Sequence, residues 1–143
     1  MINFIKRFTE WMTLKKQLDI QYRTPPIFKD GEVWWCHIGE NVGSEISGKS
    51  DFFTRPVLIL RKYDQYSFFG LPLTTKEKTG TWYMPIIFNG RKQTILLTHG
   101  HRYDYKRLQK RIGQIPEIYL TITRFAHEAL HSPSDKKNYI QIQ

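Results

Sequence analysis

Cysteine is nearly absent. The single residue Cys36 excludes a disulfide within the chain and a cysteine-based zinc cage, and it reads as filler of a buried strand. No apolar run approaches the ~18 residues a membrane helix needs, and Lys6 and Arg7 interrupt the apolar N-terminus where a signal peptide would carry its core. A cytoplasmic protein with no membrane association is expected. Internal repeats, low-complexity tracts, the glycine loop of nucleotide hydrolases and an HExxH-like zinc helix are all missing. Acidic residues are scarce, 13 against 22 Lys and Arg, leaving +9 and a pI near 9.7. A balance this basic points to a polyanionic partner, nucleic acid first and an anionic membrane surface second, with solubility alone as the plain account.

What is present is a folded composition, 40% hydrophobic and 15% aromatic over 143 residues, enough for one domain with its own core. Phe4, Phe8, Trp11, Leu14 and Leu18 recur at helical spacing, so an amphipathic helix is expected before Pro25-Pro26. The proline pair forces an extended connector and divides the chain into a helix and linker (1–28), a main domain (29–131) and a tail (132–143). Strand composition covers Glu32–Ile38, Arg55–Arg61, Ser67–Leu73, Trp82–Phe88 and Arg91–Thr98, with Asp64-Gln65 as a turn. Asn89-Gly90 predicts a two-residue type I′ hairpin. A closing helix is expected from Pro116 to about Leu130, with proline suited to its first turn. Short strands with tight links, and helices only at the two ends, predict a mainly β protein built as a small curled antiparallel barrel.

The glycine-flanked stretch Gly43-Ser44-Glu45-Ile46-Ser47-Gly48 can hang as a lid over a barrel mouth, with Arg55 held at the start of a strand beneath it. A fixed guanidinium suits phosphate chemistry. Its paired donors match two non-bridging oxygens and it stays charged at physiological pH, which also makes it a poor general base. Thr74, at a strand end, offers one further hydroxyl donor. His99 and His101 flank Gly100 and would face the same side of an extended segment; an ordinary histidine pKa suits proton transfer near neutrality. Phe52 and Phe53 either stack on bases or anchor the loop. Arg102, Lys106, Arg107, Lys110 and Arg111, interleaved with Tyr103 and Tyr105, fit backbone contact plus stacking, or a solvated basic face. His127 and His131 have the i,i+4 spacing of two metal ligands, but no third ligand accompanies them, and no metal or other cofactor is expected.

Taken in order, Gly31-Glu32-Val33-Trp34, Gly43-Ser44-Glu45, Arg55-Pro56-Val57-Leu58, Leu71-Pro72-Leu73-Thr74-Thr75 and Arg102-Tyr103-Asp104 with Arg107-Leu108 resemble the MazF/PemK toxin family from Gly31 to about Leu130. The resemblance implies an SH3-like barrel, a homodimer, and a toxin that cuts single-stranded RNA without a metal. In that chemistry the ribose 2′-hydroxyl attacks the adjacent phosphorus, giving a 2′,3′-cyclic phosphate and a 5′-hydroxyl. It implies neutralisation by a cognate antitoxin, with which operator DNA can be bound. The family's catalytic arginine and threonine fall on Arg55 and Thr74. The expected catalytic set is then Arg55, Thr74, His99 and His101, with RNA contacts from Ser44, Glu45, Lys49, Phe52, Thr75, Lys76, Arg102 and Lys106.

Three departures from the pattern stand out. Relatives carry an acidic residue around the position of His99, the segment Lys49–Thr54 is longer than usual, and Ile46 stands where glutamine is common. Besides a nuclease, two other classes fit the sequence: a barrel that binds nucleic acid without cutting it, and a peptide-binding module whose groove is formed by Trp34, Trp35 and Tyr83.

Overall fold

The computed structural model describes residues 6–133. Phe4 and nearly all of the expected tail lie outside the described residues. The order of elements is α1 (Phe8–Ile20), β1 (Glu32–His37), β2 (Thr54–Asp64), β3 (Ser67–Thr74), β4 (Tyr83–Phe88), β5 (Arg91–Leu96), β6 (His101–Asp104), a 3-10 turn (Tyr105–Arg107), β7 (Leu108–Gln114) and α2 (Glu117–Leu130). The strands pair antiparallel in the order β4-β5-β3-β2-β1-β7, and β6 joins β3 on the side that β5 also occupies. The hydrogen-bonded path does not close. Its two ends nevertheless approach, since a Cβ on Gly113 of β7 would meet the Phe88 ring of β4 at 3.0 Å, and the result is an SH3-like barrel sealed there by packing.

Strand β2 is central, which explains its unbroken apolar run. Val57 and Ile59 enter an aromatic cluster with Phe28, Trp34, Phe68, Tyr103 and Tyr105, whereas Leu58 and Leu60 enter an aliphatic one with Val33, Leu71, Leu73, Ile95 and Leu120. Alternating side chains of one strand thus serve two cores. Burying such a side chain stabilises by roughly 1.5–3 kcal/mol, so a polar residue at any of these four positions would be strongly destabilising.

Local chemistry sets the turns. Asp64 Oδ1 accepts from the Tyr66 amide at 2.8 Å and the Ser67 hydroxyl at 2.9 Å, closing the β2–β3 link. Asn89 and Gly90 have φ of 51° and 74°, the left-handed pair a type I′ hairpin needs, with Phe88 opposite Arg91. Pro116 precedes α2 at φ −56°.

Several expectations are corrected. β5 ends at Leu96 rather than Thr98, and the basic stretch after it carries strands not anticipated from the sequence, β6, paired with β3, and β7, paired with β1, with Arg102, Lys110 and Arg111 still exposed on them. Helix α1 buries only Trp11 and leaves Phe8 exposed, so its apolar stripe is narrower than the spacing suggested. Trp34 lies inside the aromatic cluster, its Nε1 donating to Glu32 Oε1 at 3.2 Å, while Trp35 on the opposite side of the strand is partly exposed. The trio Trp34, Trp35 and Tyr83 therefore forms no single groove. Among the described residues no helix is long and apolar enough to cross a membrane.

Candidate active site

The register assembles one face. Ile59, Gly70 and His101 lie opposite one another across β2, β3 and β6, and Val57 pairs with Pro72. Stepping two residues along β2 and β3 from that last pair keeps the face and brings Arg55 level with Thr74. Arg55, Thr74 and His101 thus share the face whose other end is the aromatic cluster. The β2–β3 ladder ends at Val57↔Pro72 because Pro56, the next residue of β2 to face β3, has no N–H to give, and β3 turns instead to β5 through Leu73↔Ile95 and Thr74↔Thr94. Where the strands part, a recess of about 380 Å³ opens, lined by Thr54, Arg55 and Pro56 from β2 and by Leu73, Thr74 and Thr75 from β3.

Arg55 is 8% exposed. Its Nε donates to the Ser47 carbonyl at 3.0 Å and its Nη1 to the Leu73 carbonyl at 3.4 Å, so the lid loop and the end of β3 both hold it. These bonds use two of a guanidinium's five donors, and no carboxylate pairs with it among the described residues. Burial of the charge pulls its pKa below the ordinary value. A buried cation without a counter-ion is unfavourable unless an anion arrives. Thr74, also buried, has its Oγ1 accepting from the Lys76 amide at 3.3 Å, which leaves the hydroxyl proton available.

A second recess, also about 380 Å³, is lined by Ser44, Glu45 and Ile46 of the lid loop and by His99, His101, Arg102, Tyr103 and Arg107. His99 falls in the turn between β5 and β6. Desolvation lowers its pKa, followed by the charges of His101, Arg55 and Lys78, so the neutral imidazole is favoured near neutrality. Arg55 stands at the junction of the two recesses, lining one and acting electrostatically on the histidine of the other.

Of the four expected catalytic residues, Arg55 and Thr74 therefore line one recess and His99 and His101 the other. Of the expected RNA contacts, Ser44, Glu45 and Arg102 line the histidine recess, and Lys49 and Thr75 line the other. Glu45 is engaged within the loop, its Oε1 accepting from the Val42 amide at 2.8 Å. Phe52 and Phe53 divide the two roles left open for them: Phe52 is 57% exposed, and Phe53, 1% exposed, anchors the loop. Lys76 lines neither recess, its backbone carbonyl accepting from Thr94 Oγ1 at 3.1 Å. Lys106 is directed elsewhere, its Nζ donating to the Asp19 carbonyl at 2.8 Å. His127 and His131 stack at 4.4 Å on α2, apart from both recesses; among the described residues no group of three or more His, Cys, Asp or Glu is assembled.

Sequence reasoning missed Gln93 and Gln109, which line the Arg55 recess, and Lys78, which acts on His99. Gln93 and Gln109 are ordinary strand residues until the pairing of β5 and β7 is known, and only the proximity of Lys78 to the Thr74-Thr75 end hinted at a role. Thr75 and Gln93 also border a neighbouring groove of about 480 Å³ running past Lys78 to Tyr119.

The chain is similar in fold to MazF from Deinococcus radiodurans (Form-I crystal structure), with a TM-score of 0.59 and 17% identity, covering 73% of this chain and 96% of that one. It is likewise similar to a mycobacterial endoribonuclease solved in complex with its cognate antitoxin, with a TM-score of 0.58 and 15% identity, covering 75% and 98%. A third likeness is to the MazE-MazF structure (Form-II) from Deinococcus radiodurans, with a TM-score of 0.56 and 15% identity, covering 76% and 99%. At these identities the likeness establishes the fold. No curated protein matches the sequence. Residues 29–124, spanning β1 to the middle of α2, match the PemK-like, MazF-like toxins of type II toxin-antitoxin systems, and the chain belongs to that family.

Proposed function

We propose that the chain is the toxin of a type II toxin-antitoxin pair and a metal-independent endoribonuclease acting on single-stranded RNA, with residues 29–131 as its nuclease domain. The observation that carries this reading is a buried guanidinium lacking a carboxylate partner among the described residues, on the face it shares with Thr74 and His101. As the 2′-oxygen bonds to phosphorus and the 5′-oxygen leaves, negative charge gathers on the non-bridging oxygens, where the unused donors of Arg55 and the Thr74 hydroxyl can receive it. His99, favoured in its neutral form, takes the proton from the 2′-hydroxyl, and His101 gives one to the departing 5′-oxygen. The products are a 2′,3′-cyclic phosphate and a 5′-hydroxyl, and the protein's proton count is restored by exchange with water.

Ser44, Lys49, Thr75 and Arg102 line the two recesses and serve as contacts to the RNA backbone and sugars. The exposed Phe52 offers a surface for base stacking. Ile118, Ile122 and Phe125 lie exposed at i, i+4 and i+7 on α2, an apolar stripe suited to a second copy of the chain. A cognate antitoxin, with which operator DNA would be bound, completes the proposed partners, and the cytoplasm is the proposed location.

The test is incubation of the pure protein with unstructured RNA in EDTA, followed by chemical analysis of the fragment ends. Cyclic phosphate and 5′-hydroxyl termini are expected from the wild type and not from Arg55→Ala. Intact RNA, or 5′-phosphate ends, would overturn the proposal. RNA retained without any product would make the protein a binding module instead.

A further inference from the structure

The N-terminal segment lies outside the matched residues 29–124 yet is fastened to the loop that covers Arg55. Trp11, the buried residue of α1, occupies the space a side chain on Gly39 would need: a Cβ there would meet the indole at 2.1 Å, and Gly39 also holds a φ of +85°. The same indole packs on Phe53 at 5.6 Å between ring centroids. Arg7 lies 4.5 Å over the Phe53 ring, donates to the Ser50 carbonyl and pairs with Asp51 at 3.0 Å. Lys6 donates to the carbonyls of Asn41 and Gly43.

From those anchor points a short relay reaches the guanidinium. Asn41 Nδ2 donates to the Ile46 carbonyl at 2.7 Å, the Asn41 amide to Ser47 Oγ at 3.0 Å, and the Gly48 amide to the Gly39 carbonyl at 2.7 Å. The Ser47 carbonyl in turn accepts from Arg55 Nε. Ser50 and Phe53, neither of them glycine, hold left-handed φ of 65° and 52°, conformations that persist only where the surroundings enforce them. Trp11 and Arg7 supply that enforcement at Phe53.

We propose that Lys6, Arg7 and Trp11 are positioning residues that lock the Gly39–Phe53 loop and, through Ser47, set the orientation of Arg55. The first helix is then a working part of the site. The activity arm of this inference rests on the nuclease reading, whereas its structural arm does not. In full-length Trp11→Ala, hydrogen exchange of the Gly48 and Lys49 amides, bonded to the Gly39 and Thr54 carbonyls, rises about tenfold or more while β2 amides such as Leu58 keep their protection. With RNA as substrate, kcat falls about tenfold and KM changes by less than about threefold, because a misaimed guanidinium weakens the transition state more than the ground state. Trp11→Phe restores most of both effects, and Lys6→Gln, a surface change that spares the fold, gives smaller shifts in the same direction. Loop exchange unchanged in Trp11→Ala and Lys6→Gln, exchange accelerated evenly through the sheet, or faster loop exchange with unaltered kcat would each overturn the proposal. Should the wild type leave RNA intact, the nuclease reading fails by itself, and the exchange pattern alone decides whether the segment clamps the loop.

Discussion

The two recesses that meet at Arg55 are built differently. On the Thr74 side the walls are mostly strands, and their separation follows from Pro56, which stops a ladder. On the His99 side strand β6, with His101, Arg102 and Tyr103, forms one wall, and the lid loop and the turn that carries His99 form the others, the loop held by side-chain hydrogen bonds to its carbonyls. The first half presents a cation that stays charged and a hydroxyl, neither of which titrates near neutrality; the second presents His99, a residue type that does. Arg55 and Thr74 therefore sit on paired strands whereas His99 sits in a turn, and each half can be disturbed alone.

The largest effect is expected from the Arg55 half. Arg55→Ala should lower kcat/KM about a thousandfold, the loss typical of a preorganised charge stabiliser, and Arg55→Lys should recover little because one ammonium cannot satisfy the Ser47 and Leu73 carbonyls and still present paired donors. Recovery to near wild-type rates with lysine would mean that simple charge, not geometry, is what this half supplies. Next, His99→Gln should lower kcat about a hundredfold, the scale of one proton-transfer group. In the wild type the acid limb of the kcat/KM profile, which reports the free protein, should have its midpoint below 6.5, since burial and the neighbouring charges lower this histidine and the base must be neutral. A rate that instead rises on acidification would assign His99 as the acid.

Thr74→Ala should reduce kcat about tenfold, the loss of one neutral donor, with thermal stability little changed. A subtler test joins the halves: in Arg55→Gln, the NMR titration of His99 should move up towards the ordinary histidine value, because one of the charges depressing it is gone. No movement would separate the recesses electrostatically. The smallest effect concerns stability. The buried His37 has its pKa lowered by desolvation, so the unfolded chain takes up more protons than the folded one below about 6.5. Stability should therefore fall on acidification through that window, by at most about 1.4 kcal/mol per pH unit for one such group, and urea midpoints at pH 7.5 and 5.5 would measure it.

Much of this architecture was legible in the chain. The apolar run Val57–Leu60, the Asn89-Gly90 turn and the pairing of Arg55 with a glycine-flanked loop all act through local rules of side-chain alternation and backbone freedom. β6 and β7 were not, because Arg102, Lys110 and Arg111 mask the apolar alternation that marks a strand, and few of their residues, Tyr103, Leu108 and Ile112, reach the core. Lys106 belonged by composition to a nucleic-acid face, yet a carbonyl of α1 claims its ammonium. The separate fates of Phe52 and Phe53 depend on Trp11, more than forty residues earlier.

By itself the sequence determined the barrel class, the surplus of positive charge and the residue types available for phosphodiester chemistry, since these follow from composition and short-range pattern. Only the tertiary structure decided that Arg55 and Thr74 share a face, that no carboxylate among the described residues neutralises the guanidinium, and that α1 bears on the lid. Register and burial arise from contacts between distant segments, and no local spacing encodes them.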